Sequence, residues 1–184
     1  MSDIHKFLRK QSKGFTLIEL LFVISIIGLL SSFIFVSVNS ARKDARNTYR
    51  NKMAEEYAKA FYLYYDANGE YPDPMDGSDT SPYPGVSCLA KVPAECIFVN
   101  PVPSNEILNN KLSPYIEIVD PFQMITSRGG NYQGPLYTCK TDIPCIGVRL
   151  LWFLEGREIC PSGAISGLLD NNTTACHLYL EEVF

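Results

Sequence analysis

From Leu20 to Val38 the chain runs nineteen residues without a formal charge, and Glu19 stands directly in front of them. Coiled as a helix, that run covers ~28 Å, about one hydrocarbon core of a bilayer. A helix buried in a soluble core is the plainer alternative, but such a helix rarely stays apolar on every face. The run reads as a membrane span. Glu19 is then the anomaly, because an acidic side chain at a bilayer centre costs roughly 2.5–3.5 kcal/mol. A charge in that position either finds a partner or snorkels to the interface.

Charge is distributed unevenly around the run. Residues 1–52 carry nine Lys/Arg against three Asp/Glu, whereas residues 53–184 carry seven against seventeen. The pattern predicts a membrane end and a solvated, acidic end. A secretory signal peptide also begins basic and turns apolar, but it is shorter and ends in a small-residue cleavage site. Asn39-Ser40-Ala41-Arg42-Lys43 is a weak site of that kind. The conspicuous junction lies in front of the run, at Gly14-Phe15.

Lys13-Gly14-Phe15-Thr16-Leu17-Ile18-Glu19, preceded by Lys6, Arg9 and Lys10, resembles the processing site of type IV pilins and the type II secretion pseudopilins. The specific likeness covers residues 13–38, and a looser one reaches Pro72. It implies cleavage after Gly14 by the prepilin peptidase and N-methylation of the new terminus at Phe15. It also implies a role for Glu19 in assembly, pairing with the Phe15 amine of a neighbouring subunit. Many relatives carry a proline midway along the apolar helix. Here none occurs, leaving Gly28 and Ser31-Ser32 as the weak points of the helix.

Between Phe15 and Asn68 the only glycine is Gly28, and no proline precedes Pro72. Ala41, Ala45, Tyr49, Met53, Tyr57, Ala60 and Tyr64 recur at spacings of three and four, a stripe suited to packing on a head. Arg42, Lys43, Arg46, Arg50 and Lys59 fall largely off it. Asn68-Gly69 and Pro72 end the pattern. The expected organisation is a leader over 1–14, a long helix over 15–68 with its membrane segment at 15–38, and a globular head over 69–184.

Basic residues flank the span on both sides, so the positive-inside count nearly ties. The cysteines orient the chain instead. Cys88, Cys96, Cys139, Cys145, Cys160 and Cys176 all lie in the distal part, an even number suited to disulfides outside the cytoplasm. Several pairings are open. Sequential pairing, at separations of 8, 6 and 16 residues, is the favoured one. Zinc is disfavoured, since no Cys-x-x-Cys occurs and only His177 lies nearby.

Within the head, Tyr115–Val119, Ile146–Glu155 and His177–Phe184 are strand candidates, the second apolar enough to be buried on both faces. Residues 72–103 are rich in Pro and Gly and read as a long loop region. A long helix followed by strands predicts an α+β fold, with the helix packed on a small antiparallel sheet.

Catalysis finds little support, and His177 reads as a strand residue rather than a base. The two histidines are His5 and His177, and no Gly-x-Ser-x-Gly, phosphate loop or His-Glu-x-x-His is present. Glu55-Glu56 and Glu181-Glu182 are adjacent pairs that diverge in regular structure. Asp73, Asp76 and Asp79 offer oxygens to calcium, as head loops of some pseudopilins do, but their spacing is not that of an EF-hand and a solvated turn is expected. Asn171-Asn172-Thr173-Thr174 holds two overlapping glycosylation sequons and predicts an exposed loop. The acidic head lacks the clustered cations that nucleic acid requires.

These features lead to a non-enzymatic, cofactor-free structural subunit of a pilus-like filament. The partners implied are the prepilin peptidase, membrane lipid before assembly, and copies of itself or related pilins. The expected location is the cytoplasmic membrane, single-pass, with the head outside and later in a filament. Ala67-Asn68-Gly69-Glu70-Tyr71-Pro72 is common to pseudopilins and small pilins and does not separate them. A second class stays open: a single-span anchored ectodomain that binds something without polymerising.

Overall fold

A computed structural model of the chain describes residues 14–74, 85–127, 129–139 and 147–180. Helix α1 runs unbroken over Leu17–Asn68, 52 residues, passing through Gly28 without interruption. Gly69, at φ +79°, follows it in the left-handed conformation glycine accepts without penalty. The chain divides into two units, Met1–Arg42 and Lys43–Phe184.

In the second unit the strands are β1 (Val86–Cys88), β2 (Glu95–Phe98), β3 (Asn100–Pro103), β4 (Ile125–Ser127), β5 (Gly130–Gln133), β6 (Leu136–Cys139), β7 (Val148–Glu155), β8 (Ile165–Asp170) and β9 (Thr173–Leu180). A short helix, α2 (Glu106–Leu112), follows β3. One sheet has the order β1-β6-β7-β9-β8 and the other β3-β2-β5-β4, with every strand pair antiparallel. The α+β expectation, a long helix packed with antiparallel sheet and braced by disulfides, describes this architecture.

β7 explains the layering. Leu150, Trp152 and Leu154 point to one side, where they pack with Ala54, Tyr57 and Phe61 of α1 and Leu108 and Leu112 of α2. Leu151 and Phe153 point to the other, against Val102, Ile125 and Tyr132 of the smaller sheet. A central strand covered on both faces is apolar on both, which is why Leu150 to Leu154 show no alternation between the charged Arg149 and Glu155. Phe61 stacks on Tyr137 with ring centroids 4.2 Å apart. Tyr57 donates to the Leu89 carbonyl at 3.0 Å, and burial pushes its phenol up to about 12.

Three expectations are corrected. The stripe is rotated: Ala41, Ala45 and Tyr49 are exposed, whereas Asn47, Arg50, Ala54, Ala58 and Phe61 are buried together with Tyr57 and Ala60. Tyr115–Val119 is not a strand. It follows α2 as a turn and extended segment, with Ile116 and Ile118 packed against the core. Residues 72–103 hold β1, β2 and β3 rather than loop alone. β3 reads Asn-Pro-Val-Pro, and its prolines are tolerated because it is the sheet's edge.

Cys88 is joined to Cys96, and Cys160 to Cys176, with Cα atoms 5.4 and 5.6 Å apart. The Cys139 side chain and Cys145 lie outside the described residues, as do most of the leader, Asp76, Asp79 and Glu181-Glu182. Asp73 is exposed at the start of its segment. Among the described residues no group of three His, Cys, Asp or Glu side chains could hold a metal. Asn171 and Asn172 sit exposed in the β8–β9 turn, while Thr173 and Thr174 are buried.

Candidate functional site

Gly14, Phe15 and Thr16 precede the helix, and Phe15 is 86% exposed. Thr16 and Glu19 close the first turn reciprocally. The Thr16 backbone N–H and hydroxyl donate to Glu19 Oε2 at 2.9 and 2.7 Å, and Glu19 N–H donates to Thr16 Oγ1 at 3.3 Å. This is a capping box, in which a threonine and a glutamate three residues on satisfy orphan N–H groups at a helix start. The local pattern Thr-x-x-Glu produces it, so Glu19 has a structural task within its own chain in addition to any intermolecular one. The Thr16 contribution is what the sequence reading missed, although the spacing carried the signal.

Behind the cap, every residue from Gly14 to Leu30 is exposed. Among them are twelve large apolar side chains, from Phe15 to Leu30. At roughly 1.5–3 kcal/mol for burying each, leaving them in water forfeits on the order of 20 kcal/mol. The helix is long and apolar enough to cross a membrane. Its hydroxyls suit that environment: Ser25 donates to the Leu21 carbonyl and Ser31 to the Ile27 carbonyl, at 2.8 and 2.7 Å. Polar groups satisfied within the helix can enter lipid at little cost.

A second constellation lies where α1 meets the head. Arg46 Nε and Nη2 grip the two oxygens of Glu155 at 2.6 and 2.5 Å. Arg50, only 2% exposed, donates to Glu155 Oε1 at 2.8 Å, Asn47 Oδ1 at 3.0 Å and the Gln123 carbonyl at 2.9 Å. Asn47 bridges back, donating to the Glu155 carbonyl and accepting from the Glu155 N–H at 3.0 and 2.9 Å. Lys43 pairs with Glu158 at 2.7 Å. The hydrogen bonds from Arg46 hold the Glu155 carboxyl down at about 2, against the opposing effect of burial and with help from Arg50. Sequence reasoning placed these basic residues off the packing stripe. Their spacing of three and four is visible in the chain, but their partner is not.

His177 lies within β9, half-buried, and burial followed by the nearby Arg149 charge lowers its imidazole below the ordinary range. Its Nδ1 is buried and makes no hydrogen bond among the described residues.

The family model for the prokaryotic N-terminal methylation motif matches residues 9–35. No curated protein and no solved structure matches the chain. The matched segment contains the Gly14-Phe15 junction, the Thr16–Glu19 cap and most of the exposed apolar helix. By that motif the chain carries the amino-terminal signature of the type IV pilins and pseudopilins.

Proposed function

We propose that this protein is a structural subunit of a type IV pilus-like filament. The prepilin peptidase cuts between Gly14 and Phe15 on the cytoplasmic side and methylates the Phe15 amine. The apolar half of α1 then holds the subunit in the cytoplasmic membrane, with its disulfide-braced head outside. Assembly transfers that helix from lipid into a filament core made by copies of this chain or related pilins, where Glu19 pairs with the Phe15 amine of a neighbour. The observation that carries the reading is the exposed apolar helix directly behind the methylation motif. It needs lipid first and other helices afterwards.

The motif serves surface pili and secretion pseudopili alike, and both readings use the same parts. N-terminal sequencing of membrane-extracted protein is the direct test. The mature chain should begin at Phe15, and Gly14→Val should retain the leader. A chain that keeps residues 1–14 beside an active prepilin peptidase would instead be an uncut anchor for its ectodomain.

A further inference from the structure

Beside the Arg46–Glu155–Arg50 clasp, within the second unit, lies a cavity of about 560 Å³ whose walls include Arg46, Tyr49, Arg50, Lys91, Asp120 and Phe122. Its charge is unbalanced. One carboxylate, Glu155, serves both guanidinium groups, and Arg46 Nη1 and Arg50 Nε make no hydrogen bond among the described residues. The Lys91 ammonium is exposed and has neither ion pair nor hydrogen bond among the described residues. Asp120, also exposed, is the one carboxylate in the wall itself. Three cations therefore stand against two carboxylates. Tyr49 is half-exposed and meets the buried Phe122 edge to face at 5.9 Å, giving the cavity an aromatic side.

Chain distance restricts what can reach it. Ala45, the first residue of its wall, follows Val38 by seven residues of continuous helix. At 1.5 Å per residue that is ~10 Å, whatever the angle of the head. Helical side chains lean toward the N-terminus of their helix, and Arg46, Tyr49 and Arg50 lie on the first turns of α1 within the second unit. Headgroups occupy ~5–8 Å on each side of the hydrocarbon core.

We infer that this cavity binds the phosphate-ester headgroup of an anionic, hydroxylated phospholipid. Lys91 and the unengaged guanidinium N–H groups take the phosphate, and the Asp120 carboxylate accepts from a headgroup hydroxyl. Tyr49 lies against the glycerol. The inference rests on the membrane-anchored reading above and adds a lipid contact that assembly has to break or carry along.

The test uses the full-length chain purified in detergent micelles doped with phosphatidylglycerol or phosphatidylcholine, with retained lipid counted by native mass spectrometry. Lys91→Glu reverses a charge in the wall without removing a described contact. Lys52→Glu is the matched control, an exposed residue on α1 outside the cavity. Phosphatidylglycerol should be retained over phosphatidylcholine, and Lys91→Glu should lower that retention roughly fivefold or more, as a lost basic contact to an anionic headgroup does. Lys52→Glu should change it less than twofold.

Equal retention of both lipids by the wild type would overturn the inference. So would an equal fall for Lys52→Glu, which would mean diffuse surface charge. A parallel arm adds inorganic phosphate. If phosphate binds with no lipid retained, the lipid assignment is wrong. Membrane fractionation of the same variants keeps the two readings apart: failure to insert counts against the span, whereas normal insertion without lipid selectivity counts against the cavity.

Discussion

Arg50 and Glu155 stand 105 residues apart in the chain and meet at 2.8 Å, with the arginine only 2% exposed. The pair closes the join between α1 and the end of β7, and Arg46 shares its carboxylate. A buried guanidinium is tolerated there because Glu155, Asn47 and the Gln123 carbonyl engage both of its terminal nitrogens, leaving Nε toward the cavity. The same join forms a wall of the cationic cavity.

Removing the acid should therefore cost more than removing the base. Glu155→Ala leaves Arg50 buried without a counter-charge and should destabilise the head by ~3–5 kcal/mol. Arg50→Met removes the buried charge and leaves Glu155 held by Arg46, so its cost should be clearly smaller. Trp152 is the only tryptophan and is 2% exposed. Its fluorescence during chemical denaturation of the full chain reports both variants. Equal losses would show that packing around Arg50 matters more than its charge.

Stability should also fall in acid with a particular shape. The Glu155 carboxyl sits at about 2 in the folded protein against an ordinary 4.5. A depressed folded value contributes stability that is fully present above the ordinary value and is lost as pH falls through the folded one. Comparing wild type with Glu155→Gln isolates this group from the other acids. The gap between their unfolding midpoints should be constant from neutral pH down to about 5 and should close toward about pH 2. A gap unchanged down to the acid end would mean that the ion pairs add nothing.

Val99 forms the turn between β2 and β3 at φ +67°, while its neighbours Phe98 and Asn100 pair with each other. A β-branched residue in the left-handed region carries a penalty of roughly 1–2 kcal/mol. Glycine removes it but gains freedom in the unfolded chain, which returns roughly 0.4–1 kcal/mol. Val99→Gly should leave a net stabilisation of about 0.5–1 kcal/mol, read from the same denaturation midpoint. Val99→Ala retains the backbone penalty and should not stabilise.

The cap that Glu19 forms and its proposed pairing with a neighbour can be separated by substitution. Glutamine still completes a capping box but carries no charge to pair with an amine. Glu19→Gln should therefore keep membrane insertion and the helix start, yet lower sheared-filament yield about tenfold, the equivalent of ~1.4 kcal/mol. Glu19→Val should insert at least as well and assemble no better, and Glu19→Asp should lie between. Normal yield from Glu19→Gln with a low yield from Glu19→Val would assign the residue to helix capping alone. Normal yield from Glu19→Val, with normal cleavage at Gly14, would falsify the pairing role.

The long helix over Leu17–Asn68 was legible in the chain because its physics is local. The span, the absence of proline and the stop at Asn68-Gly69 each depend on neighbours within a few positions, and so does the cap at Thr16–Glu19, which went unread although its spacing was there. β7 was legible too, being long and rich in apolar residues, and β9 only in part: the strand expected over His177–Phe184 runs over Thr173–Leu180, four residues earlier, and residues 181–184 lie outside the described residues. The tertiary structure decided which side of α1 faces the head. Periodicity offered the stripe through Ala45 and Tyr49, but the buried side runs through Asn47, Arg50 and Ala54. Nothing near Arg50 in sequence says that a carboxylate on β7 will satisfy it, so by composition it read as a surface charge.

The small sheet escaped for a similar reason. Its strands are three or four residues long, too short for alternation to register, and β3 contains two prolines that only an edge position admits. Helix α2 is seven residues, capped by Asn105 and held through Leu108 and Leu112 in a core supplied by α1 and β7. Such segments have little preference of their own. Long-range burial, which the order of residues along the chain does not display, selects their conformation.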